Sequence, residues 1–514
     1  MNQKKQHRWR RRLLMALGTV IILIGIFYLE EDWRGWHAWR QAQKEWEAKG
    51  EQFDPRSVQP PSVPEDQNFA LAPLVFTCWG QQMTRDGKTI PPDQRDPSLV
   101  NRMRISIFAS NRQWNGRTNV VGNWRKAEVA NLAAWQNYYR ASAATTNLLP
   151  VTQPPQSPAR DILLALGKYQ PAIAELREAA KLPGSRFPLD YDTDRPYRIF
   201  VPHLNSLSSC AQVLELQASA ELQNGQGDQA LADVKLCLRL ADSIHDEPFL
   251  VSQFTRMDIL NMAVQSIYDG LAGHWWSHEQ LADLDLALAG EDCLAGYPLA
   301  IRGEINLDTI RRLQFLRHRP EFLGSAFGPE SPPYLAAQII GDLIPSGVFY
   351  QNQLRCVRLL EDQYLPVVDI KGRTVSPILS QRAQRKHFNA ARHLSPYNLF
   401  ELTFLRILPN AAARFAQGQN ALDLARTAIA LERYRQTDGD YPESLNALLP
   451  SFISQIPADV IGGKPLKYRR DANGQFVLYS LGWNGIDDHG AVVLTRASPP
   501  NVDLSRGDWV WRYP

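Results

Sequence analysis

The chain has 514 residues, and at ~100 to 200 residues per domain that length leaves room for roughly two to four units. Its formal charge of +3 originates at the N-terminal tip, where Lys4, Lys5, Arg8, Arg10, Arg11 and Arg12 stand without an acid; the remainder carries 50 basic against 53 acidic side chains. The body therefore has no net attraction for a polyanion, which argues against a nucleic-acid partner.

Residues 1–12 form this basic tip, and residues 13–29, LLMALGTVIILIGIFYL, carry no charge. As a helix rising ~1.5 Å per residue they span roughly 25 Å, just enough to cross a bilayer. A cleaved signal peptide is the competing reading. Against it, the apolar run is longer than a usual signal core, Glu30-Glu31-Asp32-Trp33 follows, and no small-x-small cleavage site is present. The cations before the span place the N-terminus in the cytoplasm, which predicts a single-pass inner-membrane protein with a periplasmic or extracellular body.

Residues 30–65 read as a juxtamembrane helix and a linker. Trp33, Trp36, Trp39 and Trp46 enrich the helix in indoles, which favour the lipid headgroup layer or pack on the protein's own body. The linker runs from Pro55 to Pro64. Residues 66–140, with short apolar runs such as Leu74-Val75-Phe76 and Ile105-Ser106-Ile107-Phe108, read as a small, mixed and peripheral segment. Residues 141–159, ASAATTNLLPVTQPPQSPA, form a second linker.

From 160 to 419 the periodicity is helical. Ile162, Leu163, Ala165 and Leu166, then Ile173, Leu176 and Ala179, keep a three-to-four spacing until Pro183-Gly184. Leu207–Leu222 and Ala230–Ile244 read as a helical hairpin around the turn Gly225-Gln226-Gly227-Asp228. The pair resembles one tetratricopeptide unit, and an irregular helical body is expected because a solenoid needs about three such units. Ser277 and Gln280 fit a capping box ahead of Leu281, Leu284 and Leu288. Residues 319–350, rich in Pro and Gly, read as a long, partly ordered excursion. Segments such as Leu238-Arg239-Leu240-Ala241-Asp242 and Trp275 to Gly290 resemble a family of large uncharacterised bacterial membrane-anchored proteins. That resemblance covers residues 30–290 and implies no activity.

The unit at 420–514 opens with a helix marked by Ala421, Leu424, Ala428 and Leu431 and ending near Thr437-Asp438-Gly439. Pro442 suits the start of a short second helix through Leu449. Leu466-Lys467-Tyr468 and Phe476-Val477-Leu478-Tyr479 then flank an Asn473-Gly474 hairpin turn. Asp438-Gly439-Asp440-Tyr441-Pro442 followed by Tyr479-Ser480-Leu481-Gly482-Trp483-Asn484-Gly485 resembles the globular domain of type II secretion major pseudopilins. In that family a Ser-Leu-Gly-x-Asp-Gly loop and a later Asp-Ile/Leu segment before a Trp wrap a calcium ion. The resemblance implies calcium ligation by Ser480, Leu481, Asn484, Asp487, Asp488 and Asp503. Asn484 stands where the family has Asp, and Asp487 or Asp488 replaces the missing charge. The alternative is that these are turn residues satisfying their own backbone. The family's glutamate-bearing N-terminal segment is missing from residues 13–29, so polymerisation as a pilus subunit is not expected.

Other chemistry-bearing patterns fall short. Gly87-Lys88-Thr89 lacks the upstream glycine of a phosphate loop. Gly225-Gln226-Gly227 follows a helix where a dinucleotide site requires a strand. His274 and His278 share a metal-binding spacing only if no helix start separates them. The cysteines Cys78, Cys210, Cys237, Cys293 and Cys356 are odd in number and without CxxC spacing, which suits buried apolar roles. Two basic clusters, Arg311, Arg312, Arg317, His318 and Arg319, and Arg382, Arg385, Lys386, His387, Arg392 and His393, read as solvated helix faces, with contact to anionic lipid or cell-wall polymer as the alternative. The expected protein is mostly α: a transmembrane helix, an irregular tetratricopeptide-like body and a small pseudopilin-like α/β unit. Its expected role is non-enzymatic binding of a protein or envelope polymer. An envelope hydrolase with dispersed residues, or a secretion accessory, is the alternative.

Overall fold

The computed structural model describes residues 2–85, 87–108, 122–146, 150–191, 201–323, 341, 343–393, 395–406 and 408–514. Helix accounts for 59% and strand for 7%, so the expected mostly α class holds, with a small C-terminal sheet region.

Helix α1 runs unbroken over Asn2–Glu47. Its apolar part is long enough to cross a membrane and none of it is buried against protein. From Glu31 onward the same helix enters the body. Glu31, Gly35, Trp39, Ala42 and Trp46 form its buried stripe, at steps of three and four residues. Short one-turn helices at Pro55–Val58, Glu65–Gln67 and Phe69–Leu71 lead to α2 (Pro73–Phe76), and then to α3 (Leu132–Thr146), α4 (Pro158–Leu166) and α5 (Gln170–Ala179).

The predicted hairpin is α6 (His203–Gln223) and α7 (Gly227–Asp242), followed by α8 (Leu250–Ala272). Gly225 turns the chain at φ 74°, a conformation that glycine adopts without steric cost. Almost every residue of α6 from Cys210 to Leu222 is buried, because α4, α7 and α8 surround it. Next come α9 (His278–Ala289), α10 (Gly296–Gly303) and α11 (Ile310–His318), with a π-helical stretch at Glu304–Thr309. The capping box is present as predicted: the Ser277 hydroxyl accepts the Gln280 N–H, while the Gln280 side chain accepts the Ser277 N–H at 3.0 Å.

Most of the expected excursion at 319–350 lies outside the described residues. Its end is a correction, since Ser346–Leu359 forms helix α12. The chain continues through strands β1 (Val368–Asp369) and β2 (Thr374–Val375), then α13 (Pro377–Arg392), α14 (Leu399–Phe404) and α15 (Ala411–Asp438). A short sheet follows, with β3 (Lys467–Arg470), β4 (Phe476–Ser480) and β7 (Trp509–Trp511) antiparallel in that order. Strands β5 (Val492–Leu494) and β6 (Val502–Gly507) make a separate ladder. The Asn473-Gly474 turn joins β3 to β4 as predicted, with Gly474 at φ 81°. The second helix expected from Pro442 to Leu449 is a single 3-10 turn at Leu445–Leu448.

One apolar core runs from Trp39 to Trp511. Residues 66–140 supply some of its largest members, Phe69, Trp79, Trp124 and Trp135, so the segment is structural rather than peripheral. The expected unit boundary at 419/420 falls inside α15, which packs on α8 and α9. Trp511 meets Trp124 and Tyr268 with ring centroids 5.3 Å away in each case, and the Tyr268 hydroxyl donates to the Arg512 carbonyl at 2.9 Å. These contacts make the C-terminal sheet part of the body's core.

Candidate functional site

The junction between the apolar stretch and the body is built by α1 and α12, which run parallel. Gly35 faces Gly347, and a Cβ on either would overlap the facing backbone, so two glycines permit the close approach. The Asp32 carboxylate accepts the Gly347 N–H at 2.7 Å, and Trp46 Nε1 donates to Asp362 at 3.2 Å. Arg34 pairs with Glu31 and reaches the Tyr397 hydroxyl, while Tyr28 donates to the Leu343 carbonyl. The indoles divide accordingly: Trp39 and Trp46 are buried against Phe53, whereas Trp33 and Trp36 remain exposed. At ~100° per residue Trp39 and Trp46 lie within about 20° of each other around the helix, and Trp33 about 120° away.

The C-terminal loop gathers most of the predicted ligands but not all. Ser480 ends β4, and its hydroxyl donates to the buried Asp459 carboxylate at 2.9 Å, as does the Leu481 N–H. The Asn484 side-chain oxygen accepts the Ile486 N–H at 3.2 Å, while its amide donates to Asp488 at 2.9 Å. Asp487 accepts from the Tyr479 hydroxyl and the His489 N–H, both at 3.1 Å, with Lys467 at 3.4 Å. These are the local bonds of the turn reading. Asp503 lies apart on β6, accepting the Ser505 hydroxyl at 2.6 Å.

The acid seated beneath the loop is Asp508, which sequence reasoning missed. It accepts the Gly490 N–H at 2.6 Å and the Asp488 N–H at 3.3 Å. Burial, and then Asp488 and Asp487, raise its proton affinity against those amides. Its adjacency to Trp509 was the available signal. Among the described residues, no three His, Cys, Asp or Glu side chains are grouped so as to hold a metal ion.

Two histidines lie against carboxylates. His274 precedes α9 and its Nδ1 lies 2.9 Å from Glu432, so no helix face is shared with His278. His203 Nε2 lies 2.7 Å from Glu247, which also accepts from Ser252. The carboxylate stands between serine and imidazole, and all three are buried; a base for the serine would require the imidazole in the middle. The five cysteines are free and buried, as expected, and burial raises the thiols of Cys210 and Cys293 to about 12. The first basic cluster corrects its expectation. Arg311 donates to the Tyr191 carbonyl, Arg312 pairs with Asp308, and Arg317 donates to the Tyr350 hydroxyl at 2.6 Å. The second, on α13 and at His393 just past its end, is exposed except for buried His387, and it stands beside exposed Ile378 and Phe388.

A cleft of about 240 Å³ opens between α8, α15, the one-turn helix Trp124–Lys126 and β6. Arg125 donates to the Asn261 side-chain oxygen at 2.7 Å, and its guanidinium lies 4.3 Å from the Trp124 ring centroid. Opposite, Arg414 grips both oxygens of Asp258 at 2.9 and 3.2 Å and covers Phe254. Met257, Leu260, Val264, Leu422 and Leu504 make the apolar wall. Its contributors come from four distant parts of the chain, which hides the cleft from sequence reading. Gly418 lets α15 approach, since a Cβ there would meet Met257 Sδ at 2.8 Å.

Comparison of the chain with protein-family models, with curated proteins and with solved structures found no match.

Proposed function

We propose that the chain is a membrane-anchored envelope protein whose body is a non-enzymatic binding or scaffold module for a protein or envelope polymer outside the membrane. The carrying observation is the continuity of α1, which leaves its unburied apolar stretch and becomes a packed core helix without an intervening linker. A flexible tether suits a domain that searches space; a helix locked into the core suits one that presents a surface at fixed height. Burying Trp39 and Trp46 contributes ~1.5–3 kcal/mol per large apolar side chain to that lock.

Topology is tested by labelling spheroplasts with a membrane-impermeant maleimide. The native thiols are buried, which keeps the background low. A Gln381→Cys variant, at an exposed position, should label from outside, and Gln6→Cys only after lysis. The reverse pattern refutes the outward body.

The pseudopilin-like reading of residues 420–514 and its calcium loop belong to the same proposal. Support comes from the sequence resemblance and from Ser480, Leu481, Asn484, Asp487 and Asp488 lying on one loop, although no three acids among the described residues are grouped to hold an ion. The absence of an acid from residues 13–29 fits an accessory of secretion better than a polymerising subunit. Saturating calcium should raise the melting temperature of the detergent-solubilised chain relative to chelator. Identical transitions in the two conditions remove calcium from the account.

A further inference from the structure

We propose that the cleft between α8 and α15 is a binding site for a small organic carboxylate, with Arg125 meeting the carboxylate and the apolar wall covering the rest of the molecule. This goes beyond the scaffold reading and does not depend on it.

Charge is the first argument. Arg414 is neutralised by Asp258 in a two-oxygen pair, whereas among the described residues Arg125 makes its hydrogen bond to a neutral amide and has no carboxylate partner. Counting Arg125, Arg414 and Asp258, the cleft holds one uncompensated positive charge. A planar guanidinium with free N–H groups matches a carboxylate in a two-bond fork. A singly charged ligand brings the cleft to neutrality, while a dianionic phosphate would overshoot beside Asp258.

Placement is the second argument. Arg125 is held from two sides: its guanidinium lies over Trp124, and Asn261 accepts from both Trp124 Nε1 at 3.0 Å and Arg125 at 2.7 Å. The cation is therefore pre-oriented, which reduces the ordering a ligand must impose. Burial draws its pKa down to about 10, with Asp258 opposing, so it stays charged at neutral pH. Removing a cation from water without an ion-pair partner costs free energy, and a bound carboxylate would recover part of it.

Size is the third argument. A volume of about 240 Å³ equals roughly eight waters at ~30 Å³ each, enough for a short acyl or ring acid and too small for a folded peptide. Met257, Leu260, Val264, Leu422 and Leu504 would contact carbon, and Gln417 supplies a further polar group.

The test uses the full chain in detergent micelles below the level at which the probe alone partitions, with ligand-observed NMR as the readout. The probes are hexanoate, hexanol and hexyl phosphate. Hexanoate should saturate at millimolar concentration, with hexanol and hexyl phosphate each at least tenfold weaker. Arg125→Gln should reduce hexanoate binding to the level of hexanol. Leu504→Trp, which fills the cleft from a half-buried strand position, should abolish binding while Arg125 remains. Both variants must retain the wild-type circular dichroism spectrum and melting transition. Equal binding of hexanoate and hexanol, no saturation by hexanoate, or hexanoate binding unaltered in folded Arg125→Gln overturns the proposal; preference for hexyl phosphate overturns the carboxylate assignment.

Discussion

Asp269 shows what a single buried acid does in this body. It accepts the Ser219 hydroxyl at 2.7 Å, the Gln265 amide at 2.8 Å and the Ala130 N–H at 3.3 Å. Burial outweighs these bonds and raises its pKa from 3.8 to about 7. Nearby Glu215 is held well above the usual carboxylate range by burial first and by Asp269 second. Because the folded state of Asp269 holds its proton more tightly than the unfolded state, stability falls as pH rises from about 4 to about 7 and stays lower above that. An asparagine keeps the geometry: its oxygen can accept from Gln265 and Ala130, and its amide can donate to Ser219, whose hydrogen then turns from position 269 to the Glu215 carbonyl, 3.1 Å away. Asp269→Asn should therefore stabilise the protein by about 1 to 2 kcal/mol at pH 8, with the gain shrinking toward pH 5. Thermal unfolding followed at both pH values checks it, and a pH-independent difference would refute the assignment. No sequence pattern exposed this acid, because its burial comes from the packing of α8 against α6, α7 and α15, which no local spacing encodes.

At the scale of elements, legibility followed the strength of local chemistry. The capping box at Ser277, the Gly225 turn and the Asn473-Gly474 hairpin were readable because each is fixed by residues a few positions apart. Helix α15 was read as starting near 420, yet it begins at Ala411. Its middle, Gln419 to Glu432, is buried on nearly all sides, while Ala411, Ala412, Phe415 and Ala416 continue the same helix toward the N-terminus and were read as the end of the preceding helical body. The Pro442 segment failed differently. A proline can start a helix, but Leu445 to Leu448 close only one turn before Pro450. The loop after Ser480 was legible as a cluster and not as a geometry: Asn484, Asp487 and Asp488 lie together, Asp503 does not, and Asp508 occupies the buried position. The cleft between α8 and α15 was out of reach, since Arg125, Asp258, Arg414 and Leu504 meet only through tertiary packing.

For the whole molecule, the consequential feature is that the long apolar stretch and the body share a helix. The apolar stretch was readable from composition, but its extension read as a juxtamembrane segment whose indoles had two plausible destinations. The helical phase decides between them, sending Trp39 and Trp46 into the core and leaving Trp33 and Trp36 outside. The Gly35–Gly347 crossing then fixes the height and rotation of the body relative to the span. The most direct test is a pulsed dipolar distance measurement in nanodiscs between spin labels at Arg40→Cys on α1 and Gln229→Cys on α7, both exposed positions. The wild-type background should give one narrow distribution. Gly347→Val, whose side chain would overlap the Glu31 carbonyl, should broaden it, and Gly25→Val, which faces open space, should not. A broad distribution in the wild-type background, equal to that of Gly347→Val, would contradict the rigid junction and with it the fixed-height scaffold.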